Sequence, residues 1–314
     1  MPAAPLVTLV VPGRDIAAFA PAALDSLRAQ QETAWRAILV DDGSTDATGR
    51  IFDEAARDDP RFAVVHHAEP RGLGAARNTG VALVDTPLIG FLDGDDELTP
   101  TALARMTGVL AETGSDFVAA AYVRSRWDGE RYRPGRVQPW VAAATAPERH
   151  RTTLTEHPAA SANIVAWSKI SRTALWDDLR FPEGVAYEDQ VVAQLLNTRA
   201  TAFDVIPDVT VHWRLRADGS SLTQSKDRLP VLRDYLAALR GGIDVLRAAG
   251  ASDAVVARLD LILAMDVPPL QQIAETHPDP EYRAALDAFL DALRALPEYD
   301  RAAPDPSLAT ALGW

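Results

Sequence analysis

The first 123 residues alternate short apolar runs with helix-like stretches, and this order constrains the fold more than any other feature of the chain. LVTLVVP (6–12), AILV (37–40), FAVVH (62–66) and LIGFL (88–92) read as buried strands, each ending at a polar or turn residue. The intervening patterns predict helices over 22–29, after Pro21, over 46–57, opened by the capping-rich DGST, and over 72–84, with Leu73, Ala76, Gly80 and Leu83 on one face. Such β-α-β-α order predicts an α/β fold with a doubly wound, mostly parallel sheet flanked by helices. Its ligand crevice would lie at the carboxyl ends of the strands.

Further along, a helix is expected over 99–113 and a fifth strand over 116–123. Residues 124–160 look less regular, and 161–176 are apolar and aromatic. EDQVVAQLLN (188–197) reads as a helix opened by two acids, and 203–216 as one or two strands. From residue 226 the pattern is amphipathic helix to 298, with breaks expected near Gly250–Ser252, Pro268–Pro269 and Pro278–Pro280. This texture divides the chain into a first domain, 1–225, and a helical C-terminal subdomain, 226–314. Leu229, Leu232, Leu236 and Leu239 mark a helix face to be buried. That face could pack on the first domain, on a second subunit or around a substrate channel, and the expectation here is that the tail also shapes the site.

Charge and composition exclude several functions. A net charge of −13 disfavours nucleic acid as a partner, and the absence of cysteine removes disulfides, thiolate catalysis and cysteine-bound zinc. No uninterrupted apolar stretch is long enough to cross a bilayer, and MPAAPLVTLVVPGRD lacks a basic leader, so a cytoplasmic, soluble enzyme is expected.

Two acidic clusters follow expected strands: Asp41–Asp42 in LVDDGSTD, and Asp93, Asp95, Asp96 and Glu97 in FLDGDDELTP. Either alone reads as a solvated turn. In a doubly wound sheet both would share one crevice edge, where a cation relieves their repulsion. Oxygen ligands alone suit Mg²⁺ or Mn²⁺, which complete their shells with substrate phosphate and water.

With these motifs in order, VTLVVPGRD…VDDGSTD…GLGAARNTG…FLDGDDELTP resembles the nucleotide-binding half of family 2 glycosyltransferases, which have the GT-A fold. WSKISRTALW…RFPEGVAYEDQVVAQLL and HWRLRADGSSLTQ are similar to the bacterial branch acting on cell-wall polymers and surface polysaccharides. The resemblance spans about residues 6–225. It implies that Pro12 ends the first strand under the nucleotide and that Asp42, supported by Asp41, meets the uracil edge. Arg77 would line the diphosphate pocket, Asp93 with Gly94 the ribose, and Asp95 would bind the metal. Asp189 would be the catalytic base with Glu188 beside it, while Arg214, Arg216 and the Ser220–Ser221 turn approach the diphosphate. The implied partners are a nucleotide-sugar donor and a glycan or cell-wall polymer acceptor. The latter leaves room for contact with the inner face of the membrane, and a homo-oligomer stays open.

The sequence departs from the family at Arg14–Asp15, where Tyr-Asn is usual, and near Glu69–Pro70, where Asn is usual before GL. A sugar-nucleotide-forming nucleotidyltransferase is the alternative enzyme, but PGRDIAAF is not the Gly-rich basic loop that class favours. A non-catalytic nucleotide-sugar binding module would not need Asp95 and Asp189. His212 reads as packed rather than metal-ligating, and Trp167, Trp176 and Trp213 as core. Arg124, Arg126, Arg131, Arg133 and Arg136 read either as a solvated loop or as a site for a phosphate-bearing acceptor.

Overall fold

The computed structural model describes residues 4–216 and 225–308. The expected strands and helices of the first half form β1 (Val7–Gly13), α1 (Ala20–Arg28), β2 (Trp35–Asp41), α2 (Thr48–Asp58), β3 (Phe62–His66), α3 (Leu73–Val81) and β4 (Leu88–Phe91). Every residue of β1 is buried, which is what a central parallel strand covered on both faces requires. β1 pairs in parallel with β2 and β4, and β2 with β3.

Beyond β4 the sheet changes character. β5 (Glu97–Leu98) and α4 (Ala102–Thr113) lead to a long β6 (Phe117–Trp127). The stretch expected to be irregular instead contains β7 (Tyr132–Val137), α5 (Pro139–Thr145) and β8 (Arg149–Thr152). β9 (Lys169–Arg172), α6 (Asp189–Arg199) and β10 (Phe203–Leu215) complete the sheet. Its strand order is β3-β2-β1-β4-β9-β6-β10-β5, with β7 on β6 and β8 on β10. β9 runs antiparallel to both β4 and β6, while β6 and β10 are parallel. The sheet is therefore mixed, and the expected parallel character belongs to its first half. Lys169–Arg172 gives no strand signal of its own, being four residues inside an apolar, aromatic run.

Four helices follow: α7 (Leu229–Ala248), α8 (Ser252–Leu261), α9 (Val267–Thr276) and α10 (Pro280–Arg294). The breaks at Gly250 and Pro278–Pro280 occur, whereas Pro268–Pro269 does not interrupt the chain. A π-helical turn, Ile262–Asp266, joins α8 to α9 and leaves the prolines in the first turn of α9. The wider turn accommodates pyrrolidine rings that would clash with a carbonyl in a regular helix. Leu232, Leu236 and Leu239 are buried as expected, and they share a core with Phe117, Phe203 and Val205 of the sheet. Among the described residues no helix is long and apolar enough to cross a membrane.

Candidate active site

The acidic turn begins where β4 continues alongside β1. The Leu92 amide donates to the Val10 carbonyl at 3.1 Å and the Gly94 amide to the Pro12 carbonyl at 3.1 Å. A Cβ at Gly94 would stand 2.9 Å from the Pro12 oxygen and 2.5 Å from Ile16 Cδ1, so only glycine fits between the two aspartates. Asp93, Asp95 and Asp96 each present an oxygen, all within 4.8 Å of one another.

Arginines offset this charge. Arg77 donates to Asp93 at 2.6 Å, and Arg216 binds Asp95 Oδ2 through Nε at 3.0 Å and Nη2 at 2.7 Å. Arg214 is buried and engaged throughout: Nε donates to the Asp95 carbonyl, Nη2 to the Phe19 carbonyl, and Nη1 pairs with Glu97. It fastens the acidic turn to β10 and α1. Burial, with the charges of Asp95 and Asp93 adding, holds the Asp96 carboxyl well above its usual range. Burial also raises Asp93, against the opposing charge of Arg77. The donor set is all hard oxygen, which fits Mg²⁺ or Mn²⁺; Asp93 and Asp95 are half-buried and Asp96 is buried.

Asp41 and Asp42 end β2 beside this turn, and both are buried. Asp42 accepts from the amides of Arg71 and Gly72, both at 2.8 Å, and bonds His67 Nδ1 at 2.6 Å. Asp41 accepts from the Ser44 amide and bonds His66 Nδ1 at 2.9 Å. Asp15, one of the departures in sequence, sits at φ +50° and accepts from the Thr45 amide at 2.7 Å, so it ties the loop after β1 to DGST. The two histidines are residues of this region that the sequence reading did not single out. The adjacent pair His66–His67 at a strand end was the available signal.

The motif GLGAARN joins the acidic turn to the distant YEDQ segment. Asn78 clasps the backbone of Phe181 twice, donating to its carbonyl and accepting from its amide, both at 2.9 Å. Gly74 lets that segment lie against α3, since a Cβ there would stand 2.1 Å from the Pro182 oxygen. Arg77, fully buried, then bridges Asp93 to Glu188. From the other side the C-terminal helices grip the same turn. Asp234 accepts from the Ala186 amide at 3.0 Å, Tyr235 packs on Tyr187 at 4.3 Å, and Arg258 donates to Gln190 at 3.0 Å. Tyr187 takes φ +60°, a strained conformation for an aromatic residue, directly before Glu188–Asp189.

Asp189 shares a small enclosed cavity with Lys169, lined by Phe91, Trp176, Val192 and Leu196. Burial and the Glu188 charge push its carboxyl up to about 7, against Arg77 and Lys169. Burial brings the Lys169 ammonium down to about 7, against Asp189, while its three donors reach Asn163 O and Oδ1 and Val165 O. The chain has 31 basic residues and only two are lysines, Lys169 and Lys226. Both are close to this turn: Lys226 Nζ lies 3.9 Å from the centre of the Tyr235 ring. Their rarity was the sequence signal for Lys169. Ser220 and Ser221 lie outside the described residues.

The chain is similar to known proteins in sequence and in fold. The chain is 34% identical over 134 residues to the uncharacterized glycosyltransferase EpsJ of Bacillus subtilis, covering 43% of this chain and 39% of that protein. It is 36% identical over 113 residues to the succinoglycan biosynthesis protein ExoU of Rhizobium meliloti, covering 36% of this chain and 32% of that protein. The matches thus span well under half of either relative. S. aureus TarS 1-349, solved with UDP-GlcNAc, superposes with a TM-score of 0.75 at 20% identity, over 91% of this chain and 81% of that one. The Pyrobaculum calidifontis mannosyltransferase PcManGT, solved with GDP-Man and Mn2+, gives 0.55 at 17% identity, over 99% and 86%. These two show the fold, GT-A-like with a helical C-terminal region. Residues 8–176, more than half the chain, match the family described as Glycosyl transferase family 2, and the chain belongs to that family of glycosyltransferases.

Proposed function

We propose that this chain moves a sugar, with inversion, from a uridine-diphosphate sugar to a hydroxyl of a bacterial polysaccharide or cell-wall polymer. The observation that carries the reading is the bridge made by Arg77. It joins an oxygen-rich turn suited to a divalent cation to Glu188, whose neighbour Asp189 is a half-buried carboxyl held near neutrality. The TarS and PcManGT structures hold nucleotide sugars on the same fold, which supports the donor class.

In this mechanism Asp95, backed by Asp93 and Asp96, would hold Mn²⁺ or Mg²⁺, which supplies Lewis-acid neutralisation of the departing diphosphate. Arg216 leaves Asp95 and turns its guanidinium to the diphosphate, adding charge where charge develops. Asp42 and the loop it fixes form the base end of the pocket, and Asp93 faces the ribose. Asp189 accepts the acceptor proton as its oxygen attacks the anomeric carbon and the bond to the diphosphate breaks. A carboxyl raised to about 7 is matched to that task at physiological pH. Glu188, locked on Arg77, orients the turn beside Asp189.

The test is release of nucleoside diphosphate by the purified chain from a panel of UDP- and GDP-sugars with Mn²⁺, water serving as acceptor. Cation-dependent release from a UDP-sugar is expected. Absence of release from every donor, together with no rise in melting temperature on adding UDP and Mn²⁺, would overturn the reading.

A further inference from the structure

The arginine-rich segment expected to be a loop is a built hairpin. β6 is antiparallel to β9, which is antiparallel to β4, so β6 points the same way as β4. Its end at Trp127 therefore emerges at the same crevice edge as the acidic turn. β7 folds back on it with Arg126 opposite Arg133 and Trp127 opposite Tyr132. Side chains opposite one another share a face, so the ribbon carries an arginine face and an aromatic face.

The aromatic face leads inward. The Trp127 ring meets Tyr132 edge-on at 5.3 Å, and Tyr132 lies 6.3 Å from Phe19. The Arg214 and Arg216 guanidinium groups lie over Phe19, at 5.4 and 5.3 Å. These are the arginines bound to Asp95. Trp127 itself is 47% exposed, one of few large apolar side chains left at the surface.

The arginine face is unusual for this molecule. Residues 124–137 hold five arginines against two acids, in a chain of net charge −13. One of the acids, Asp128, is consumed by the turn: it accepts from the amides of Glu130 and Arg131 and from Arg133 Nε. Arg131 and Arg136 are exposed and have no carboxylate partner among the described residues. Guanidinium forks pair bidentately with phosphate oxygens, and phosphates repeated along a polymer can follow a row of arginines.

We propose that the β6–β7 hairpin is the docking surface for the acceptor, and that the acceptor is a phosphate-bearing glycan polymer. A sugar face stacks on Trp127 near the acidic turn, and phosphates along the chain lie on Arg126, Arg131, Arg133 and Arg136. This rests on the glycosyltransferase reading above and names the class of its acceptor.

Binding of three probes to the full chain tests it: linear polyphosphate, polygalacturonate and neutral dextran. Polyphosphate should bind, weaken as salt rises, and outcompete the other two. The double variant Arg131→Glu, Arg136→Glu alters exposed residues, and its melting temperature reports whether it folds. It should lose tenfold or more of polyphosphate affinity. Trp127→Ala should raise the KM for a phosphate-bearing acceptor such as poly(glycerol phosphate) more than it lowers kcat. Equal polyphosphate binding by the folded double variant would overturn the docking surface. Polygalacturonate binding as tightly as polyphosphate would overturn the phosphate assignment. Nucleoside-diphosphate release by the wild-type chain is read separately, so failure of the donor chemistry is distinguishable from failure of this surface.

Discussion

Two groups of carboxylates meet across Arg77, and they are balanced in different ways. The turn after β4 is answered by arginines from outside it, and Arg216 holds Asp95 through an ion pair whose partners are 18% and 25% exposed. In the second pair Glu188 is buried and Asp189 half-buried, and Arg77 directly bonds only Glu188. Asp189 is left with burial and a like charge beside it, opposed only through space by Arg77 and Lys169. The first arrangement suits exchange of one cation for another. The second raises a carboxyl toward neutrality, which suits exchange of a proton.

The largest expected effect attacks the first group. Asp95→Asn should abolish cation-dependent turnover yet keep the fold, because it removes repulsion along with a ligand. Full activity of this variant in metal-free buffer would end the cation reading. Asp189→Asn attacks the second group. It should retain donor binding and lose roughly two to four orders of magnitude in kcat. Loss of donor affinity with kcat intact at saturation would place Asp189 elsewhere in the mechanism.

Removing the bridge tests whether the groups are one unit. Arg77→Met leaves Asp93 and Glu188 without their shared counter-charge, which should cost about 3–5 kcal/mol of stability in denaturant unfolding. A loss below about 1 kcal/mol would show that the two groups are independently stable. The smallest effect concerns proton exchange alone. The base must be unprotonated, so wild-type kcat should rise with pH through about 7. Lys169→Met removes a charge that favours ionised Asp189 and should move that limb upward by about one pH unit. An unmoved limb would leave Lys169 only the role of holding the carbonyls of Asn163 and Val165.

The legible part of the molecule is the part whose signals are local. Strands β1 to β4 and the helices between them are written as apolar runs closed by turn residues; Asp93 and Asp95 stand out in a short motif at an element end, whereas Asp189 by itself reads as a helix-opening acid and drew its expected role from the family resemblance. β9 and the β6–β7 hairpin were not legible. β9 is too short to show a period, and the hairpin is rich in arginine, proline and glycine, which read as a loop. Its pairing comes from an edge that β6 offers rather than from its own sequence. The prolines of α9 misled for a related reason, since a π turn upstream made room for them.

By itself the sequence determined the alternating fold, the carboxylates and the order of their motifs, because periodicity and capping depend on near neighbours. Only the tertiary structure decided how those charges are answered. Asp95 lies more than a hundred residues from Arg216, and Glu188 more than a hundred from Arg77. Coulomb interactions and burial act through space, so which carboxylate is left to take a proton is settled by what the fold packs against it.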